Sequence, residues 1–254
     1  MSLAIVWFRR DLRLADNPAL TEALVNHDQV LPVYIQTAES APWDAGAASN
    51  WWLHHALDDL RRALSGRLLL RLGPALETLR DLIAETGADA VYWNRLYEPS
   101  AIARDTEIKQ ALRKAAVTTA SANASLLFEP WTVANKQGLP FRVFTPFWKY
   151  LLSAGLPDRP LPEPDLKGRL ADLTGLPQQA LDGFKLLPDI AWDAGLAAAW
   201  QPTREAALAR LDDRRVDEVD LCGLGVGDFL RHPRGIRRGR PPGTAFEQKR
   251  RDHE

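Results

Sequence analysis

Apolar and polar positions along the first half of the chain alternate between two periods. Leu3–Phe8 is a continuous apolar run with β-branched members, the pattern of a strand buried on both faces. Asp16 and Asn17 then offer an N-cap, and Pro18 stands at the first helical position, which predicts a helix to about His27. Val30–Ile35 reads as a second strand. Helical spacing runs from Ala47 to Leu64, and Gly66 ends it. Leu68–Leu72 is a third strand, Pro74 starts the next helix and Gly87 closes it. Ala90–Trp93 gives a fourth strand and Ala101–Ala116 a helix charged on one face. The looser stretch Val117–Leu127 holds a fifth strand. Strands alternating with helices predict an α/β fold, a doubly wound, Rossmann-like parallel five-stranded sheet with both faces covered.

A further helix is expected at "TPFWKYLL", with Thr145 as cap and Pro146 as first residue. From Gly155 to Pro202 the pattern changes. This stretch holds seven of the 18 prolines and little periodicity, so a long linker crossing the domain surface is expected there. Helical pattern returns at Thr203–Arg215, with Leu208 and Leu211 on one side. After Asp217 a Gly-, Arg- and Pro-rich stretch predicts no packed structure. The expected division is therefore 1–154 as the α/β body, 155–202 as linker, 203–216 as a first helix of something further, and 217–254 as an unstructured basic tail.

Composition narrows the function classes. The net charge of −1 is unevenly spread: from Arg231 onward eight Lys/Arg face three Asp/Glu, leaving the body acidic and not a nucleic-acid surface by charge. The basic end itself predicts at most weak, salt-sensitive nucleic-acid binding. One cysteine, Cys222, excludes a disulfide framework and points to a reducing, cytoplasmic setting. No apolar run approaches the roughly 20 residues of a membrane span. No glycine-rich phosphate loop follows a strand, and "GLGVG" (223–227) neither follows one nor opens a helix. His54 and His55 are adjacent and face different sides of a helix, so no metal site is expected from them. Trp7 and Trp93, within strands, read as core.

In doubly wound sheets ligands sit beyond the carboxyl ends of the strands. Two charged segments fall there: Arg9–Arg13 after the first strand and "NRLYEP" (94–99) after the fourth. Two readings of the arginines stand. Either Arg9, Arg10 and Arg13 pair with Asp11 and Asp16 in a surface loop, worth little if exposed, or some of them line a ligand edge or lock a domain seam.

The opening "VWFRRDLRLADNPAL" (6–20) resembles the signature of the DNA photolyase and cryptochrome family. So do "AASNWWLHHALDDL" (47–60), "VYWNRLYEPSAIARD" (91–105), "FRVFTPFWKYLL" (141–152) and "WQPTREAALARL" (200–211), in order and with matching spacing over about residues 3–216. The resemblance implies an N-terminal α/β domain holding a light-harvesting antenna chromophore, of reduced folate or deazaflavin/flavin type. It also implies a linker to a helical domain that holds FAD and binds DNA containing pyrimidine dimers. In photolyases the excited flavin donates an electron to the dimer, which splits; the lesion is flipped out of the duplex to reach it.

A flavin phosphate-binding Thr-Ser-x-Leu-Ser stretch is missing after Arg215. The expectation is therefore a truncated member, broken by a frameshift near Asp217, which lacks the FAD site and does not repair DNA or bind it specifically by itself. It would bare an apolar surface normally docked on the helical domain. Whether the chain is an enzyme stays open. Antenna-site candidates are Phe8, Arg10 and Asp11 after the first strand, Tyr34 and Ile35 at the end of the second, Trp51 on the facing helix, and Asn94 and Glu98 after the fourth. A folate-binding Asn-Glu pair of some members falls on Ser100 and Ala101. In deazaflavin-binding relatives an acidic residue falls on Leu96, and Glu98 matches another. Two alternatives remain: a cryptochrome-like, non-enzymatic photosensory or interaction domain, and, more distantly, a generic nucleotide-binding module.

Overall fold

The computed structural model describes residues 2–37, 45–155 and 159–221, with side chains of the last helix through residue 213. Five parallel strands, β1 (Leu3–Phe8), β2 (Gln29–Gln36), β3 (Leu69–Leu72), β4 (Ala90–Asn94) and β5 (Thr118–Ala122), lie in the order β3-β2-β1-β4-β5. The chain steps outward from β1 to β3, then crosses to the other side of β1 for β4 and β5. The order reverses between β1 and β4, which are directly paired from Ala4 with Ala90 to Trp7 with Trp93. That junction is the topological switch point.

Strand alternation sorts the side chains onto two faces. Ala4, Val6, Phe8, Tyr34 and Tyr92 pack with α1 (Pro18–Asn26) and α2 (Ala47–Ala63). Ile5, Trp7, Val33, Ile35 and Trp93 pack with α3 (Ala75–Thr86) and α4 (Pro99–Lys114) on the other. Trp7 and Trp93 are core, as expected, in edge-to-face contact at 6.0 Å. Helix α1 begins where its sequence dictates: Asn17 Oδ1 accepts the Leu20 N–H at 3.1 Å, and Pro18 occupies the first turn. Gly87, at φ 70°, closes α3 in the left-handed conformation that glycine adopts without strain.

The next helix departs from its expected start. Helix α5 (Phe144–Ala154) begins before Thr145 and has Val143 as cap, without a side-chain cap bond. Helix α4 likewise starts at Pro99 rather than Ala101, because Pro99 supplies the first-turn geometry.

The expectation of a linker on the surface needs correction. Five residues of the stretch 169–186 enter the core, while most of the others stay exposed. Val30 N donates to Arg169 O at 2.8 Å and Ala171 N to Val30 O at 2.9 Å, a parallel bridge beside the start of β2. Leu170, Leu181, Phe184 and Leu186 are buried against the α1–α2 face, and Ala171 against the other. Gln179 N donates to Leu70 O at 3.0 Å on the edge strand β3. Short helix α6 (Ala194–Ala199) follows.

Arg169 closes α1. Its guanidinium donates to Leu24 O at 2.6 Å, His27 O at 2.7 Å and Asp28 O at 2.8 Å, taking carbonyls the helix end leaves unpaired.

The chain divides into two compact units at Arg204/Glu205. The second contains nearly all of α7 (Arg204–Leu221), which runs past Asp217 and so shortens the expected unstructured stretch. Residues 222–254, with the basic tail and Cys222, lie outside the described residues. No helix of the described residues is long and apolar enough to cross a membrane.

Replacing Arg169 by Ala strips three charge-assisted bonds from the α1 terminus. It is expected to cost about 2 kcal/mol and to lower Tm by about 4–8 °C, measured by thermal unfolding.

Candidate functional site

The carboxyl edge of the sheet is built from the first residues after β1, β2 and β4, and α2 packs on the Phe8 and Tyr34 face of the sheet. At the switch point Asn94, 3% exposed, is a hub. Its Nδ2 donates to the Asp11 carboxylate and, at 2.7 Å, to Asn17 Oδ1. Its Oδ1 accepts the Ala19 N–H at 3.1 Å. Asp11 Oδ1 in turn accepts the Arg9 N–H at 2.9 Å, and Asn17 Nδ2 donates to Arg13 O at 2.9 Å. Every polar arm of this set is engaged by another part of the turn, so Asp11 and Asn94 together shape the loop after β1.

The three arginines part ways. Arg9 is buried and forks onto Asp105 of α4, with 2.9 Å to each carboxylate oxygen, and donates to Asn94 O. Its guanidinium lies 4.9 Å from the Trp7 ring centroid, and Asp105 also accepts the Trp93 indole N–H at 3.1 Å. Burial pulls the Arg9 guanidinium below its ordinary value, and Asp105 acts against that. The reading of all three arginines as a surface loop therefore fails for Arg9, whose partner stands 96 residues away.

Arg13 keeps to the loop, 3.6 Å from the Asp16 carboxylate, and reaches Ala124 O at 2.7 Å. Arg10 is exposed and pairs with Glu98 across the β1–β4 junction. Glu98 is held below the usual carboxylate range, by its own backbone N–H first and with Arg10 contributing.

Of the residues expected to converge, Phe8 and Tyr34 share the α1–α2 face and are buried. Tyr34 packs on Phe184 of the inserted segment at 6.0 Å, and its hydroxyl donates to Gln36 at 3.0 Å. Ile35, the next residue along β2, points to the opposite face and does not join them. Trp51 is buried on α2, 4.6 Å from the His55 ring and 6.4 Å from the half-exposed Trp52. Trp52 continues to Trp200 at 5.9 Å. Burial lowers the His55 imidazole below its ordinary value, and His54 adds to that.

Arg10 and Glu98 are thus among the exposed polar groups on this edge, while α2 carries the ring group of buried Trp51, half-exposed Trp52 and His55. A planar ring system with a polar edge matches that pairing of surfaces. The sequence reading missed Trp52, His55 and Phe184. His55 stands four residues from Trp51, so helical spacing was the available signal for it, while nothing in the spacing singled out Trp52 or Phe184.

Two measurements check this geometry. Asn94→Ala leaves the Asp11 carboxylate and the Ala19 N–H without their partner. It is expected to destabilise the fold by about 3 kcal/mol in denaturant unfolding. Tyr34 is pushed up to about 12 by burial. The folded chain holds that proton while an unfolded chain releases it near 10. Stability therefore falls as pH rises from about 10 to about 12 and is untouched below. Tyr34→Phe is expected to remove its share of this slope and a phenolate transition near 12 in an absorbance titration, leaving the smaller upward-shifted contributions of Tyr92 and Tyr97.

The DNA photolyase family model matches residues 4–165. A deoxyribodipyrimidine photo-lyase of Agrobacterium fabrum is 43% identical over 213 residues, covering 82% of this chain and 44% of the relative. Cryptochrome-2 of Arabidopsis thaliana is 37% identical over 165 residues, covering 63% of this chain and 27% of that protein. The crystal structure of a class III photolyase from Agrobacterium tumefaciens superposes with a TM-score of 0.77 at 42% identity, over 84% of this chain and 44% of that one. The chain spans less than half the length of these relatives. It carries the N-terminal α/β domain of the DNA photolyase and cryptochrome family, and it belongs to that family.

Proposed function

We propose that this chain is the chromophore-holding α/β portion of a light-driven pyrimidine-dimer photolyase. The α/β sheet, completed by the core residues of 169–186, forms the antenna body, and α7, from Arg204, begins the helical domain that follows in full-length relatives. The observation that carries the reading is the 43% identity to a deoxyribodipyrimidine photo-lyase along 82% of the chain, while only 44% of that relative is spanned.

The residues fit an antenna group in part. Trp52 and His55 offer ring surfaces backed by buried Trp51, Phe8 and Tyr34, and Arg10 with Glu98 a polar rim; Asp11 and Asn94 hold the turn behind that rim. When bound, such a chromophore supplies light absorption and passes excitation onward. Arg10 presents a cation to the ring system's polar edge, and Glu98 fixes the guanidinium's position. FAD and dimer-containing DNA belong to the helical portion that follows in full-length relatives.

Exposed Val143, Phe144, Trp148 and Leu152, at the cap and along α5, supply the apolar docking surface such a portion would cover. A cryptochrome-like photosensory role draws on the same residues, through the 37% identity to Cryptochrome-2.

The test incubates the purified chain with a reduced folate, a deazaflavin and FMN in turn, then separates bound from free. The expected result is one retained chromophore whose retention falls at least about tenfold in Arg10→Ala, with no repair of a dimer-containing oligonucleotide in light. Retention of none of the three would sink the antenna reading, and repair by the chain alone would sink the division of labour.

A further inference from the structure

On the opposite side of the sheet from α1 and α2, helix α4 lays a row of cations along the edge strand β5. Lys109 and Arg113, one helical turn apart, stand over Ser121 and Thr119, which share one face of β5. Lys109 Nζ donates to Ser121 Oγ at 2.6 Å, and Arg113 Nε donates to Thr119 Oγ1 at 3.1 Å. Arg95, just past β4, reaches the same Ser121 Oγ at 3.3 Å.

The nearby carboxylates are already engaged. Asp105 takes Arg9, Arg104 and the Trp93 indole, and Glu129 takes Arg95 and the Tyr97 hydroxyl. Among the described residues no carboxylate lies within ion-pair distance of Lys109 or Arg113. Lys109 is half-buried, with its ammonium 5.5 Å from the Trp93 ring centroid. Burial lowers its pKa, Arg95, Arg113 and Arg9 add to that, and Asp105 acts against it.

Arg113, by contrast, is exposed, and Thr119 is buried beneath it; gathering like charges where one of them is partly desolvated is unfavourable unless an anion joins them. Two hydroxyls that accept from these cations keep their own protons to donate. β5 ends the strand order, so among the described residues its far side carries no neighbouring strand.

We propose that Lys109, Arg113 and Arg95, ranged along Thr119 and Ser121, form a binding site for a dianionic phosphate group such as pyrophosphate or a nucleotide's terminal phosphate carries. Two cations without carboxylate partners match two negative charges. The two hydroxyls supply the directional donors that a phosphate's oxygens accept from. A phosphodiester, with one charge per phosphate, fills the site less well. The site shares no residue with the antenna surface and does not depend on the proposed photolyase role.

The experiment follows thermal unfolding of the full chain in sodium pyrophosphate against sodium chloride at matched ionic strength, with calorimetric titration beside it. Wild type is expected to gain Tm in pyrophosphate alone. Lys109→Met and Arg113→Met are each expected to raise the pyrophosphate Kd by about tenfold, while their Tm without pyrophosphate is unchanged or higher, because a like-charge contact is gone. Lys109→Arg keeps the charge and is expected to bind within about threefold of wild type. Circular dichroism establishes that each variant is folded. The proposal is overturned by a Tm gain no larger than in chloride, by equal gains in both Met variants, or by equally tight binding of an oligothymidylate without a terminal phosphate.

Discussion

A buried guanidinium governs the architecture of the carboxyl edge. Arg9 ends β1 inside the protein, where an uncompensated charge is costly by several kcal/mol. Three elements meet the demand: Asp105 from α4 takes the fork, Asn94 from β4 lends its carbonyl, and the Trp7 ring lies against the cation. A buried pair of this kind adds little net stability over an apolar core, but removing one member strands the other. Its consequence is positional. β1 and β4 are held together at the point where the sheet reverses direction, and α4 is held in register against them.

The Asn94 hub completes that closure from the other face. In many doubly wound folds the crevice between the reversing strands is where a ligand enters. Here Asp11, Asn17 and Asn94 bond to one another and to the first turn of α1, so their polar atoms are spent on the turn itself. Arg10 and Glu98, which pair with each other, and the rings of α2 lie outside that network. A family resemblance places residues at the right end of the sheet. Their hydrogen-bond partners decide which of them remain available.

Much of the fold was legible because parallel strands buried on both faces read as unbroken apolar runs, and because Asn17-Pro18 and Gly87 mark helix ends by their own stereochemistry. What stayed hidden was non-local. Nothing near Arg9 in the sequence announces Asp105. Leu170, Leu181, Phe184 and Leu186 lie in a mixed apolar and polar stretch with no sustained period, so their burial could not be read from pattern. Tyr34 and Ile35 sit together at a strand end, yet strand alternation sends them to opposite faces. Thr145 looked like a cap, but the helix had already begun at Phe144. The candidate site was legible as a region and much less so as a set of contacts.

The stitching of residues 169–186 into the body has a kinetic meaning. Arg169 finishes a helix that ended at Asn26, and Ala171 hydrogen-bonds to Val30. These contacts close loops of well over a hundred residues, the kind that slows folding by raising contact order. During synthesis the sheet can assemble while the α1 carbonyls and the flank of β2 still face water. They are sealed only when the strap emerges from the ribosome. The α/β body is therefore finished by a stretch of chain that lies beyond its own last strand, and a fragment ending at Ala154 would be an unfinished domain rather than a smaller one.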